Sequence, residues 1–237
     1  MKKTLLGLFV AALFSGHVAA ADPAASAASV PQAAASAPAA PASPASAAAA
    51  LPQAPQIAAT AFVVKDLQSG QVLAGKDLNA PVEPASLTKL MTAYLTFKAL
   101  DNGTLKADQM LTVSEKGWKA EGSRMFLEPR KPASVSDLIK GLIVQSGNDA
   151  AITLAEAIGG SEEGFADMMN AEAKRLGMSG THFLNSTGLP GENHLTTVND
   201  LVILAGAIIN DFPKYYPIYS IKSFKYNNIE QPNRNLL

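Results

Sequence analysis

The sequence predicts an α+β fold, with strands near both ends of the folded region and helices in the middle. Three observations support this class. Short apolar runs flank a Ser-Gly pair near residue 70, apolar residues recur at three- and four-residue steps from residue 87 to about 208, and a strand-like run occupies residues 223–226. A folded region of about 180 residues is large enough to bury roughly 70% of its unfolded surface.

The first predicted element is a β-hairpin. Residues 61–64 and 72–74 are apolar, and the Ser-Gly pair at 69–70 lies between them as a turn signal. After Pro84 the apolar spacing becomes helical, and this helix is expected to end at residues 101–103, Asp-Asn-Gly.

Four further helices are predicted from capping residues and periodicity. Two begin where Ser134 or Thr197 is followed three residues later by aspartate, as in a capping box. Two others end at glycine, one at residues 159–160 and one at Gly177. The predicted spans in chain order are 134–143, 150–158, 161–176 and 197–208, and the final strand is 223–226.

The first 56 residues are expected to lie outside the folded domain. Residues 1–20 resemble a secretory signal peptide, because Lys2 and Lys3 precede an apolar run at 5–14 and small residues at 18–20. The run is too short to span a bilayer comfortably, and an uncleaved N-terminal anchor is the alternative. Residues 21–56, almost all Ala, Pro and Ser, are predicted to be a disordered linker, which leaves 57–237 as the folded domain. We therefore expect an exported, periplasmic protein.

The composition excludes several classes of function. A formal net charge of -1 gives no support to nucleic-acid binding, which requires a basic face. The absence of cysteine excludes disulfides and thiolate chemistry. The three histidines are scattered along the chain, so a zinc site built from His and Cys is not expected.

Residues 84–92, Pro-Ala-Ser-Leu-Thr-Lys-Leu-Met-Thr, carry the most informative chemical pattern. Ser86 and Lys89 lie three residues apart at the start of a predicted helix, which places both side chains on one face. A serine hydroxyl needs a base, and a lysine can serve when desolvation and nearby positive charge lower its pKa. The helix N-terminus also favours a developing oxyanion. The alternative is an N-cap serine followed by a surface lysine.

A second pattern, Ser-Gly-Asn, lies in the break between two predicted helices. The hydroxyl of Ser146 can relay a proton, and the amide of Asn148 can donate to a substrate carbonyl or hold the lysine. The alternative is a simple turn, because Ser, Gly and Asn are all common turn residues.

Ser-x-x-Lys followed about 60 residues later by Ser-x-Asn gives two of the three signature motifs of the penicillin-binding protein and serine β-lactamase superfamily. Around these motifs the chain closely resembles the low-molecular-mass penicillin-binding proteins that are serine-type D-alanyl-D-alanine carboxypeptidases. The resemblance runs from about residue 59 to 237. It is carried by the segments "PASLTKLMTAYLTF", "GSRMFLEP", "VSDLIKGLIVQSGNDAA", "FLNSTGLP", "HLTTVNDLVILA" and "YYPIYSIKSFKYNNIEQPNRN".

This resemblance implies a DD-peptidase-like transpeptidase fold, in which an antiparallel sheet carries an inserted all-helical lobe and the active site lies at their junction. It also implies a role for each motif residue. Ser86 would be the acylated nucleophile, Lys89 its general base, and Ser146 the group that passes a proton to the leaving D-alanine. Asn148 would bind the carbonyl of the substrate peptide.

The implied reaction removes the terminal D-alanine from peptidoglycan stem pentapeptides through an acyl-enzyme, with no cofactor and no metal. β-Lactam antibiotics would acylate the same serine. Two alternatives remain: a D,D-endopeptidase of the same superfamily and a non-catalytic peptidoglycan-binding protein. Gly147 favours the carboxypeptidase, because the endopeptidases usually carry an acidic residue at this position. A β-lactamase is disfavoured, because the Glu-x-x-Leu at 192–195 lies farther from Ser146 than that family places it.

The third motif of the superfamily, Lys-Thr-Gly, does not occur in the expected place. In relatives it follows the Asn-Arg-Asn segment, which here occupies residues 233–235, close to the last residue of the sequence. We therefore expect the complete gene product to continue through this motif into a β-domain and a C-terminal helix that gives peripheral inner-membrane association. The 237-residue chain itself is expected to have little or no activity.

Overall fold

A computed structural model describes residues 58–235. The predicted signal peptide and the whole of the predicted linker lie outside this range and stay predictions. The helices are α1 (Lys89–Asp101), α2 (Glu115–Trp118), α3 (Val135–Val144), α4 (Asn148–Gly159), α5 (Glu162–Leu176) and α6 (Val198–Asp211). The strands are β1 (Phe62–Lys65), β2 (Val72–Lys76), β3 (Met110–Leu111), β4 (Ala133–Ser134), β5 (Ser223–Tyr226) and β6 (Ile229–Pro232). Two 3₁₀ turns span Ala85–Thr88 and Tyr216–Ser220.

Two of the predicted helix starts, those of α3 and α6, are confirmed by their side-chain caps. Ser134 accepts a hydrogen bond from the backbone N–H of Asp137 at the start of α3, and Thr197 accepts one from Asp200 at the start of α6. Each cap satisfies a backbone donor that the helix itself leaves unpaired. Glycines in the left-handed conformation follow α4 and α5 as predicted.

Helix α1 lies at the centre of the described domain. Its buried side chains include Met91, Tyr94 and Phe97, and α3, α4, α5 and α6 all pack against it. The continuous apolar character of this segment is thus explained by burial on most sides. On the side facing α5 and α6, the Tyr94 hydroxyl donates to Asp211 at 2.7 Å and accepts from Arg175 at 2.8 Å.

The strands pair as three separate two-stranded antiparallel sheets in the described residues, which differs from the larger sheet that the resemblance implies. The first is the predicted hairpin, in which Phe62 lies opposite Lys76. Its apolar side chains Val64, Val72 and Leu73 are exposed. In the range 58–235, no helix has the length and apolarity needed to cross a membrane.

Candidate active site

Ser86 lies in the 3₁₀ turn that precedes α1, not in the helix itself as the spacing predicted. The backbone of the preceding Ala85 is left-handed, with φ 45°, a conformation that costs free energy for a residue other than glycine. Ser86 is exposed and caps neither the turn nor α1, so the N-cap interpretation is wrong. Strained backbone beside an exposed hydroxyl is typical of a functional position.

Lys89 is the first residue of α1 and is only 6% exposed, so it is not the surface lysine of the alternative interpretation. Its ammonium nitrogen donates to the backbone carbonyl of Thr187 at 2.6 Å and lies 3.5 Å from the hydroxyl oxygen of Ser86. Burial lowers the pKa of Lys89 to about 8, and the positive charge of Arg234 contributes in the same direction. Desolvation and a nearby positive charge, the two conditions under which a lysine can act as a base, are therefore both present.

Ser146 faces the same cleft as Ser86 and Lys89. The three side chains line a cavity of about 110 Å³, and its apolar wall is formed by Leu87, Leu90, Leu142 and Ile143. Ser146 lies between α3 and α4 with φ 59°, again in the left-handed region. The cavity is smaller than the roughly 300–1,000 Å³ of pockets that enclose whole ligands.

Asn148 does not line this cavity; it is the first residue of α4, whose predicted start was Ala150. Its side chain is 5% exposed and donates to the backbone carbonyl of Glu121 at 2.6 Å. Its backbone N–H donates to the carbonyl of Ser123 at 2.7 Å. The amide nitrogen carries a second hydrogen that this bond does not use.

The next residue, Asp149, joins the 121–127 loop to the start of α4. Its carboxylate is 1% exposed and accepts backbone hydrogen bonds from Met125 and Leu127, each at 3.0 Å, and from Ala150 at 2.9 Å. The loop is thereby fixed beside Asn148. Asp149 has no recognisable signature in the sequence, because an aspartate after Ser-Gly-Asn is indistinguishable from a turn residue.

Two further residues at the cleft were missed. The carbonyl of Thr187 has no signature in the sequence, because every residue carries a backbone carbonyl. Tyr219, in the second 3₁₀ turn, lines the cavity beside Ser146. Its hydroxyl is buried without a hydrogen-bond partner among residues 58–235, and burial raises its pKa, so it remains a neutral phenol.

Replacing Tyr219 with phenylalanine is expected to stabilise this chain by about 1 kcal/mol, because a buried hydroxyl without a partner costs free energy. Thermal unfolding of the 237-residue chain measures the change. Tyr94→Phe is the matched control and is expected to be destabilising, since it removes a hydroxyl with two hydrogen bonds. A similar loss of stability in both variants would show that the Tyr219 hydroxyl is bonded.

Neither described histidine lies in the cleft. His194 is buried and bonds Thr88 at 2.9 Å, while His182 is exposed and bonds the carbonyl of Asn193 at 3.1 Å. No group of three or more His, Asp or Glu side chains suited to a metal ion occurs in the described part of the chain. A larger cavity of about 270 Å³ lies between α1, α4 and α5. The lysine in its lining, Lys98, forms an ion pair with Glu172.

An exposed serine beside a desolvated lysine at the start of a buried helix, with a second serine across the cleft, defines the class of Ser-x-x-Lys acyl-transfer proteins. The chain belongs to the peptidase S11 family, D-alanyl-D-alanine carboxypeptidase, which matches residues 48–237. It is similar to the D-alanyl-D-alanine carboxypeptidase DacC of Escherichia coli strain K12, at 42% identity over 187 residues. That alignment covers 76% of this chain and 47% of the relative, so the chain spans about half the length of the curated relatives it matches.

Solved structures show the same likeness. Penicillin-binding protein 6B from Escherichia coli aligns with a TM-score of 0.75 and 39% identity, over 79% of this chain and 61% of that one. Penicillin-binding protein D2 from Listeria monocytogenes, in an ampicillin-bound form, aligns with a TM-score of 0.70 and 28% identity, over 78% and 75%. The α+β, DD-peptidase-like fold predicted from the sequence is confirmed.

Proposed function

We propose that the complete protein is a serine D-alanyl-D-alanine carboxypeptidase that removes the terminal D-alanine from peptidoglycan stem peptides during cell-wall biogenesis. The observation that carries this proposal is the pairing of an exposed Ser86 hydroxyl with a buried Lys89 amine 3.5 Å away. Membership of the carboxypeptidase family supports the choice of substrate.

In the proposed mechanism, neutral Lys89 takes the hydroxyl proton of Ser86 as the serine oxygen attacks the carbonyl carbon of the penultimate D-alanine. The new C–O bond gives a tetrahedral intermediate, which collapses as the C–N bond to the terminal D-alanine breaks. Ser146 passes the proton from Lys89 to the leaving amine, and Asn148 donates its second amide N–H to a carbonyl of the substrate. Water then hydrolyses the acyl-enzyme.

β-Lactam antibiotics are proposed to acylate Ser86, because their amide carbonyl enters the same cleft and the leaving nitrogen stays tethered to the acyl group. The ampicillin- and cefotaxime-bound forms of the Listeria relative support this proposal. The signal-like pattern of residues 1–20 supports export to the periplasm, where the peptidoglycan substrate lies. Peripheral association with the inner membrane is proposed to depend on sequence beyond residue 237.

Mass spectrometry after incubation with benzylpenicillin tests the proposal, using this chain and a chain extended through the expected Lys-Thr-Gly region. A penicilloyl adduct on Ser86 is expected in the extended chain, together with release of D-alanine from a peptide that ends in D-alanyl-D-alanine. Ser86→Ala is expected to lose both, while Ser69→Ala, in the exposed β1–β2 turn, is the matched control. No adduct in the extended chain would favour the peptidoglycan-binding alternative, and turnover by the short chain would contradict its predicted inactivity.

A further inference from the structure

The shortest hydrogen bond of Lys89 is made to the backbone, not to the serine it is proposed to deprotonate. The lysine nitrogen lies 2.6 Å from the carbonyl oxygen of Thr187 and 3.5 Å from the hydroxyl of Ser86. Thr187 is 98 residues away in sequence. The direction in which the amine points is therefore set by the position of one peptide carbonyl.

That carbonyl belongs to a tight turn, residues 185–188, that is organised by a single side chain. The amide oxygen of Asn185 accepts from the backbone N–H of Thr187 at 3.1 Å, the hydroxyl of Thr187 at 3.0 Å and the N–H of Gly188 at 2.7 Å. Its amide nitrogen donates to the carbonyl of Leu189 at 3.0 Å. Through the N–H of Gly188, the Asn185 side chain therefore holds the peptide group that contains the Thr187 carbonyl, and through the N–H of Thr187 it holds the peptide group before it.

The turn is also anchored to two helices. The buried carboxylate of Glu162, in α5, accepts from the N–H of Ser186 at 3.0 Å and from its hydroxyl at 2.6 Å. The hydroxyl of Thr92, in α1, donates to the carbonyl of Ser186 at 2.7 Å. The turn therefore has a fixed position relative to the helix that carries Lys89.

Gly188 brings the same turn against the nucleophile. It has φ 82°, and a Cβ atom at this residue would lie 1.7 Å from the carbonyl oxygen of Ala85, directly before Ser86. Glycine is the residue that permits both this conformation and this approach. One turn thus contacts the backbone at Ser86 and the amine of Lys89.

We propose that Asn185 is a positioning residue for the general base, holding the Thr187 carbonyl so that the Lys89 amine presents its lone pair to Ser86; this inference rests on the proposed function. A neutral amine has two N–H bonds and one lone pair. With one N–H fixed on the carbonyl, rotation of the amine is restricted and the lone pair can be held toward the serine hydroxyl. Glu162 anchors the turn from α5.

The test compares Asn185→Leu with Asn185→Asp. The leucine removes the four hydrogen bonds described above and a 3.4 Å contact of the Asn185 amide nitrogen with His194, whereas the aspartate keeps an oxygen for the three donors. Stopped-flow kinetics with a chromogenic β-lactam, at pH 9 on the extended chain, separate the acylation rate constant from the dissociation constant of the initial complex. Asn185→Leu is expected to slow acylation about 10- to 100-fold, the cost of misplacing a reacting group by about 1 Å, while the dissociation constant stays nearly unchanged. Asn185→Asp is expected to restore the rate.

Tyr94→Phe serves as the control for a general loss of stability, because it breaks two hydrogen bonds on the side of α1 that faces α5 and α6. It is expected to lower the Tm without slowing acylation. Equal slowing in Tyr94→Phe and Asn185→Leu, or an unchanged rate in Asn185→Leu, would overturn the proposal.

A second readout is independent of the acylation chemistry. Reductive methylation followed by peptide mapping measures how readily the Lys89 amine is reached by reagent. The amine is expected to react about tenfold faster in Asn185→Leu than in the wild type or Asn185→Asp, because the turn that holds it opens locally. If Ser86 of the wild type is not acylated but Lys89 is methylated faster in Asn185→Leu, the proposed function is refuted and the positioning role is retained. If Lys89 is methylated at the same rate in all three proteins, the positioning role is refuted.

Discussion

Replacing Lys89 with methionine is expected to slow the acylation of Ser86 by benzylpenicillin about 10²- to 10⁴-fold, the usual contribution of a general base. The methionine side chain is close to lysine in length but has no basic nitrogen. Lys89→Arg is expected to be equally slow, because arginine keeps the charge and the donors but remains protonated. Lys89→Arg therefore tests whether the side chain at this position acts as a base or only supplies positive charge. The rate of adduct formation, followed by mass spectrometry in the extended chain, measures both effects.

The wild-type rate is expected to depend on pH in a defined direction. Because the neutral amine is the reactive form and the pKa of Lys89 is about 8, acylation should rise roughly tenfold per pH unit below this value and level off above it. Lys106→Met, at an exposed lysine away from the cleft, should leave the rate and the profile unchanged. A Lys89→Met protein acylated at the wild-type rate would exclude lysine as the base.

Lys89→Met is not expected to unfold the protein. Burial lowers the pKa of Lys89 below its ordinary value, so the charged lysine destabilises the folded state at neutral pH, and that penalty disappears only as the pH rises through the folded and unfolded pKa values. An apolar side chain of similar size removes the penalty, although it leaves the Thr187 carbonyl without this donor. A Tm close to that of the wild type would assign the loss of acylation to chemistry.

Of the substitutions proposed for this protein, Asp149→Ala is expected to lower the free energy of unfolding the most. It removes the carboxylate that accepts the backbone N–H groups of Met125, Leu127 and Ala150. Buried donors left without a partner cost about 1–3 kcal/mol each, so a total of about 3 kcal/mol or more is expected. For a domain of this size the corresponding fall in Tm is roughly 6–12 °C.

Thermal unfolding of the 237-residue chain measures this effect, with Asp108→Ala as the control at an exposed carboxylate. Asp149→Asn should lie between the wild type and alanine, because its amide keeps one acceptor oxygen. In the extended chain, Asp149→Ala should also slow acylation, since the 121–127 loop contacts Asn148 through two hydrogen bonds. A fall in Tm no larger than that of Asp108→Ala would show that the loop is held by other contacts.

Much of the fold was predictable because its signals are local. The caps at Ser134 and Thr197 and the glycines after α4 and α5 act within one helical turn, so their effect can be deduced from neighbouring residues. The 69–70 turn between β1 and β2 is local in the same way. Short elements such as α2, β3 and β4 were missed, because two to four residues carry too little periodicity to recognise.

The sequence was enough to predict three polar side chains of the candidate site, Ser86, Lys89 and Ser146, but not Tyr219. Ser86 and Lys89 have helical spacing, and the Ser-x-Asn pattern about 60 residues later identifies the pair as a signature motif of the penicillin-binding protein and serine β-lactamase superfamily. The folded arrangement was needed to show that Lys89 is buried, that its amine donates to the carbonyl of Thr187, and that Asp149 fixes the adjoining loop. These features escape prediction because desolvation and backbone hydrogen bonds arise between segments far apart in the chain, and because every residue type carries a backbone carbonyl.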